Sequence, residues 1–223
     1  MLCIFDLDST LFNVTKRSQE IVRALSDNKD FCKSFPKEAQ LLQSITVHHD
    51  EWGIKDAVLR LGIRNANAQK AIKKYWSHYF FSNEFLTYDV PYPGAPEFVS
   101  DLHQRGAEIV YLTGRDQNHM KEGTIESLTH WKFPIQIENS KLLMKPDKDI
   151  KDHEYKKDAI ENLLEYRPKL TFDSTWLFEN EPANISAIES KFPELKVVFM
   201  DSVHSGREDS PTHLPSLKMK FHK

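Results

Sequence analysis

Outside residues 13–88, short apolar runs alternate with helical patterns along this chain, and that alternation restricts the fold more than any other feature. The runs are Leu2-Cys3-Ile4-Phe5, Glu108-Ile109-Val110-Tyr111-Leu112, Leu142-Leu143-Met144, Trp176-Leu177-Phe178 and Lys196-Val197-Val198-Phe199-Met200. Each has the length and composition of a buried strand. Between them lie helical patterns. One starts at Pro96, carries Phe98, Val99 and Leu102 and ends near Gly106; the others cover 119–130, 154–166 and 183–192. Within 154–166, Tyr155, Ala159, Ile160, Leu163 and Leu164 share the core side. Strands alternating with helices predict an α/β fold, a parallel sheet with helices on both faces.

Residues 13–88 break the alternation. Ile21, Val22 and Leu25 form one helical stripe, and Ile54, Ala57, Val58 and Leu61 form another, stopped by Gly62 in a C-cap position. Ala68, Ala71, Ile72, Tyr75, Trp76, Tyr79 and Phe80 form a third. No strand pattern interrupts them, so a module of about four helices is expected. Asp89-Val90-Pro91-Tyr92-Pro93-Gly94-Ala95-Pro96 then marks a rigid boundary. The chain divides into a core made of 1–12 and 89–223 and an inserted helical module, 13–88. The polar, proline-containing tail, 205–223, is expected to strap the surface.

Composition excludes several function classes. At 223 residues, 39% hydrophobic and 28% charged, the chain suits one substantial core plus an inserted module. A net charge of −3 and a pI near 6.4 give no global basic footprint for nucleic acid. Cys3 in the core strand and Cys32 in a polar helical region are not expected to pair, as suits a reducing compartment. No apolar stretch approaches about 18 residues, so no membrane span is expected. The first strand follows Met1 directly, leaving no room for a signal peptide, and a cytoplasmic location is expected.

The polar residues cluster where the strands end. Asp6-Leu7-Asp8-Ser9-Thr10-Leu11 follows the first run, Thr113-Gly114-Arg115 the second and Glu179-Asn180-Glu181 the fourth, while Lys156 and Lys157 lie at the start of a helix. In a parallel sheet all strand C-termini open on one edge, where ligands bind. Carboxylates gathered there repel and suit a hard cation; Mg²⁺ takes one or two of them and shares phosphate oxygens with its substrate. The set suits phosphoryl transfer. Asp6 can attack phosphorus, while a cation, a lysine and backbone N–H groups neutralise the phosphoryl oxygens. Asp8 can protonate the leaving oxygen and then activate water.

These motifs, in this order, resemble those of haloacid dehalogenase superfamily phosphohydrolases. The resemblance covers about 1–12 and 89–203 and places the helical insert as that superfamily's first type of cap. It implies a three-layer, Rossmann-like core, with Asp6 as nucleophile and Asp8 as general acid/base, the main-chain carbonyl of Asp8 also binding Mg²⁺. It implies that Thr113 and a lysine hold the phosphoryl group, and, because Asp8 is present, phosphate chemistry rather than dehalogenation. Tyr155-Lys156 resembles an aromatic–lysine pair at this helix start, which favours Lys156 as the lysine. Its neighbour Lys157, with Gly114 and Arg115, is assigned to substrate binding, and Lys145 is a third candidate. Lys141, Lys145, Lys148 and Lys151 otherwise interleave with Asp147, Asp149 and Asp152 as a solvated face. Where the superfamily has aspartates, this chain has Glu179-Asn180-Glu181-Pro182. Glu179 is expected to ligate the metal, and Asn180 to do so without charge, so that metal binding weakens. Glu181 and Asn184 are alternatively caps of the next helix.

Thr113-Gly114-Arg115 also resembles turns in class B acid phosphatases and polynucleotide 3′-phosphatases, where an arginine near the phosphate suits bidentate recognition. The acidic pI, and a sequence with no visible aromatic-plus-basic groove, argue against nucleic-acid ends. The expected substrate is a small phosphorylated metabolite or nucleotide. The alternatives are nucleic-acid 3′-end processing and phosphate-ligand binding with weak activity. Tyr75, Trp76, His78, Tyr79, Phe80 and Phe81 are expected mainly in the module's core. His48, His49 and Trp52 lie near a helix junction that could face the site. His204 and Arg207 are expected to tie down the tail.

Overall fold

A computed structural model of the protein describes residues 1–165 and 174–219. The last residue of the helix expected over 154–166, and the tail beyond 219, lie outside the described residues. Among the described residues, six parallel strands form the sheet: β1 (Leu2–Phe5), β4 (Glu108–Asp116), β5 (Ser140–Lys145), β6 (Thr175–Glu179), β7 (Lys196–Asp201) and β8 (Ser216–Lys218). Their order is β5-β4-β1-β6-β7-β8, so the acidic motif follows an inner strand. Phe5 pairs with Tyr111 on one side and Phe178 on the other.

The alternation of side chains along each strand builds the two cores. Cys3, Phe5, Ile109, Tyr111, Phe178 and Val198 face one side. There they pack with Val99 of α6 (Ala95–Gln104) and Leu128 of α7 (Gln117–His130). Leu2, Ile4, Val110, Leu112, Leu177 and Val197 face the other. That face is covered by Ile160 and Leu163 of α8 (Asp152–Glu165) and by Ile185 and Ile188 of α9 (Pro182–Lys191). Helices thus lie on both faces, the α/β architecture expected from the alternation.

Between β2 (Phe12–Asn13) and β3 (Val90–Pro91) the chain forms α1 (Thr15–Leu25), α2 (Lys29–Ser34), α3 (Pro36–Leu42), α4 (Lys55–Arg60), α5 (Ala66–Phe80) and a 3₁₀ turn, Asn83–Tyr88. These helices have their own apolar cluster, including Val22, Leu25, Leu42, Ile54, Val58, Ala68 and Ile72. Gly62 adopts φ 83°, the left-handed geometry that stops the α4 pattern.

Two features go beyond the sequence-based expectations. β2 and β3 pair antiparallel at the base of the helices, Phe12 opposite Pro91 and Asn13 opposite Val90; two-residue strands leave no periodic signal. The tail contributes β8 rather than only a strap. All three of its residues are exposed, so it joins β7 through backbone pairing without an apolar pattern to announce it. Cys3 and Cys32 are free thiols. Among the described residues, no helix is long and apolar enough to cross a membrane.

Candidate active site

The loop after β1 bends within the reach of the sheet. The Asp6 amide still donates to the Phe178 carbonyl at 3.0 Å, continuing the strand pairing. The Leu7 carbonyl then accepts from the amides of Thr10, Leu11 and Phe12 at 3.2, 2.9 and 2.9 Å, which closes a turn. Ser9 sits at φ 63° inside it, a left-handed conformation that costs a non-glycine residue energy and recurs at functional sites. Asp6 and Asp8 line one cavity of about 550 Å³, together with Thr113, Arg115, Lys156, Glu179 and Asn180.

Two ion clusters organise the floor of this cavity. In the first, Lys156 Nζ donates to Asp6 Oδ1 at 2.7 Å and to Glu179 Oε2 at 2.6 Å. The other oxygen of Glu179 accepts the amides of Asn180 and Glu181, each at 3.0 Å. Burial pushes the Asp6 carboxyl up to about 7; the Lys156 ammonium opposes that rise and the Glu179 charge adds to it. Burial also works against the Lys156 charge, but Asp6 and Glu179 hold its ammonium above the ordinary lysine range.

The second cluster joins Asp8 and Asp89 to Arg17 and Arg115. Arg115 Nη2 donates to Asp8 Oδ1 at 2.5 Å and to Asp89 Oδ2 at 2.6 Å, and its Nη1 donates to Thr124 Oγ1 at 3.2 Å. Arg17 Nη2 donates to Asp8 Oδ1 at 2.8 Å, and its Nε lies 3.1 Å from Asp89 Oδ1. The Phe80 ring covers the Arg17 guanidinium, 4.0 Å from centroid to Cζ. Burial favours the neutral form of Asp8, but Arg115 and Arg17 overcome it and hold the carboxyl well below the usual range. For Asp89 burial wins, and its carboxyl is raised despite both arginines.

The expected site residues distribute unevenly. Asp6, Asp8, Thr113, Gly114, Arg115, Lys156, Glu179 and Asn180 line the cavity. Thr113 Oγ1 accepts the Arg115 amide at 3.2 Å, which leaves its own proton for another acceptor. Gly114 admits Asp152: a Cβ there would lie 2.6 Å from Asp152 Oδ2. Lys157 needs correction, since it is only half-buried and is not among the residues lining the cavity. Neighbouring helix positions point about 100° apart, so α8 can deliver only one of the two lysines. Lys145 is buried rather than part of a solvated face, and its ammonium holds Asp152 at 2.7 Å and the carbonyls of Ile150 and Lys148.

Arg115 also differs from expectation, because its guanidinium grips carboxylates instead of presenting an open fork for phosphate. Asn180 Oδ1 accepts from Thr10 Oγ1 at 3.2 Å, and its amide nitrogen donates to the Val203 carbonyl at 2.8 Å. Glu181 occupies the N-cap position of α9 without a side-chain cap bond, and accepts from the amide and hydroxyl of Ser205 instead. Asn184 Nδ2 approaches Glu179 Oε2 at 3.5 Å. His204 bonds Ser210 within the tail, whereas Arg207 reaches the cavity. His48 and His49 line a neighbouring cavity with Asn13 and Lys16, while Trp52 lines the one that holds Asp6. Trp76, Phe80 and Phe81, expected mainly as core, line it too.

Sequence reasoning missed Arg17 and Asp89. A signal for Arg17 existed: it lies four and eight residues before Ile21 and Leu25, on the stripe that α1 buries. Asp89 was legible only as part of the proline-rich boundary.

Asp6, Glu179, the Asn180 amide and main-chain carbonyls are all oxygen donors, a hard set. Two buried carboxylates share one ammonium around Asp6, so added positive charge is favoured there. No group of three or more His, Cys, Asp or Glu side chains suited to a metal occurs among the described residues. A cation here would therefore complete its shell with main-chain and water oxygens.

Comparison with solved structures shows the same fold at low identity. A haloacid dehalogenase superfamily hydrolase of subfamily IA from Geobacter sulfurreducens aligns with TM-score 0.53 and 13% identity, covering 91% of this chain and 90% of that one. A predicted phosphatase from Clostridium acetobutylicum aligns with TM-score 0.51 and 15% identity, over 90% and 84% of the two chains. A predicted phosphoglycolate phosphatase from Haemophilus somnus aligns with TM-score 0.50 and 19% identity, over 91% and 86%. No curated protein matches the sequence. Residues 1–167 match the model of the haloacid dehalogenase-like hydrolases, and with three-quarters of its length in that match the chain belongs to this family.

Proposed function

We propose that the protein is a phosphomonoester hydrolase working through a phospho-aspartate on Asp6. The observation that carries this reading is the Asp6 carboxylate, fixed at 2.7 Å by buried Lys156 at the cavity floor, with Asp8 two residues away. Lys156 binds one Asp6 oxygen and orients the other toward phosphorus. Attack forms the Asp6 O–P bond and breaks the ester P–O bond. Thr113, at the end of its strand run, donates its hydroxyl proton to a phosphoryl oxygen.

Asp8 serves both half-reactions. As a carboxylate steadied by two guanidinium groups, it is ready to take a proton from the water that attacks phospho-Asp6. A phosphoryl dianion alongside raises its proton affinity, which lets it supply a proton to the departing alkoxide first. Arg17 and Arg115 act through Asp8 by fixing its rotamer.

Mg²⁺ fits the donor set: Asp6, the Asp8 main-chain carbonyl, Glu179 and Asn180 would hold it, directly or through water. It would supply neutralising charge to the phosphoryl oxygens. The helical module, 13–88, acts as a cap that shields the site and contacts the leaving group. The substrate is a small phosphorylated molecule. Phosphate release from a broad phosphomonoester panel, with Mg²⁺ or EDTA, tests the reading. Release that needs Mg²⁺ and disappears in Asp6→Asn supports it; release that persists in Asp6→Asn contradicts it.

A further inference from the structure

The wall of the catalytic cavity is aromatic, and the hydrolysis just proposed makes no use of it. Trp52, on the loop between α3 and α4, is 52% exposed, and Phe81, just past α5, is 46% exposed. Both line the cavity that holds Asp6, together with Trp76 and Phe80. Three of these rings adjoin one another: Trp76 to Phe80 is 4.7 Å between centroids and Phe80 to Phe81 is 5.2 Å. The loop backbone beside Trp52 runs against the same surface, since a Cβ on Gly53 would lie 3.8 Å from Trp76 Cη2. Phe80 in turn covers Arg17, whose guanidinium holds Asp8 at 2.8 Å. The wall is therefore tied to the catalytic floor through one side chain. Lys148, Lys151 and Arg207 add cations to the cavity lining.

Aromatic faces left open inside a ligand cavity offer stacking area that a planar base uses well. The volume of about 550 Å³ falls within the range of small-ligand sites. With a net charge of −3, the molecule as a whole does not attract a polyanion. We propose that the substrate is a mononucleotide: a phosphomonoester whose base stacks on Trp52 and Phe81 while its phosphate reaches Asp6. The proposal rests on the phosphomonoesterase reading and names its substrate class.

The test compares a nucleoside 5′-monophosphate with glycerol phosphate, whose leaving alkoxides are chemically alike, so that their difference reports the base. With Mg²⁺ present, the wild type is expected to favour the nucleotide in kcat/KM by about tenfold or more, the size of one base–aromatic stack. Trp52→Ala is expected to shrink that preference about tenfold, mainly through KM, and Trp52→Phe to restore most of it. Equal losses on both substrates, or no preference in the wild type, would overturn the proposal. So would faster release from a 3′-phosphorylated oligonucleotide than from the mononucleotide. Binding separates this failure from that of the hydrolysis reading. Nucleotide quenching of tryptophan fluorescence in Asp6→Asn, weakened by Trp52→Ala, supports the stacking wall even if no substrate is turned over. Turnover of glycerol phosphate without nucleotide binding leaves the hydrolase and removes the wall.

Discussion

Asp6 and Asp8 are two residues apart on one turn, yet their surroundings push them in opposite directions. Asp6 shares a single ammonium with Glu179, and its carboxyl rises to about 7 under burial. Asp8 and Asp89 face two arginines, and Asp8 is held below the usual carboxylate range although burial opposes its charge. Counted as ionised groups, the first cluster has one surplus negative charge and the second has none. The difference teaches which cluster is chemically open. The unbalanced one gains from an added cation, and the balanced one locks a carboxylate in place. Their construction differs too. Lys156, Asp6 and Glu179 come from α8, the end of β1 and β6, all within the sheet domain. The second cluster crosses to α1 through Arg17 and to the chain's return point through Asp89, so the helical module bears directly on Asp8.

The comparison breaks most visibly in turnover. Asp6→Asn should lower phosphate release by about a thousandfold or more, as expected when a nucleophile is lost. Its Tm should not fall, because Glu179 alone then balances Lys156; calorimetry alongside the assay checks both. Asp89→Asn should do the reverse to stability. It strands two buried guanidinium groups with one carboxylate, and breaking such a pair costs about 3–5 kcal/mol in chemical denaturation.

The pH dependence sharpens the contrast. The folded-state pKa of Asp6 is raised from 3.8 to about 7, so its contribution to stability is present below 3.8 and is lost as pH rises through 7. The folded-state pKa of Asp8 is lowered from 3.8, so its contribution is present above 3.8 and is lost as pH falls below it. In EDTA, the Tm difference between wild type and Asp6→Asn should therefore move against the wild type from about pH 4 to about pH 7. The difference from Asp8→Asn should move against the wild type as pH drops below about 4. The smallest effect concerns charge at the open cluster. Asn180→Asp should tighten Mg²⁺ binding severalfold in titration calorimetry, because ligand charge tunes affinity for hard cations, partly offset by the lost bond to Val203.

The core was legible in the sequence because buried parallel strands are written as apolar runs and their covering helices as stripes. β1 with Asp6 and Asp8, and β4 with Thr113, follow from that pattern alone. β8 was not, because its residues are exposed and the backbone does the pairing. On the site, motif order identified Asp6, Asp8 and Thr113 as candidates that share the cavity; helix geometry allowed only one of Lys156 and Lys157, and the resemblance of Tyr155-Lys156 to an aromatic–lysine pair favoured Lys156, which lines the cavity. Arg17 and Asp89 escaped because a buried ion pair formed across about seventy residues has no local spacing. The aromatic run of α5 was read as core because helical periodicity reports burial against something, and does not say whether that something is protein or substrate.

The most direct test of the two-cluster account is mass spectrometry of Asp8→Asn mixed with Mg²⁺ and an aryl phosphate that the wild type hydrolyses, whose leaving group departs without an acid. The account predicts a covalent phosphoryl group that accumulates and maps to Asp6, since water attack has lost its base. A chain that releases phosphate while Asp6 is never modified would contradict it.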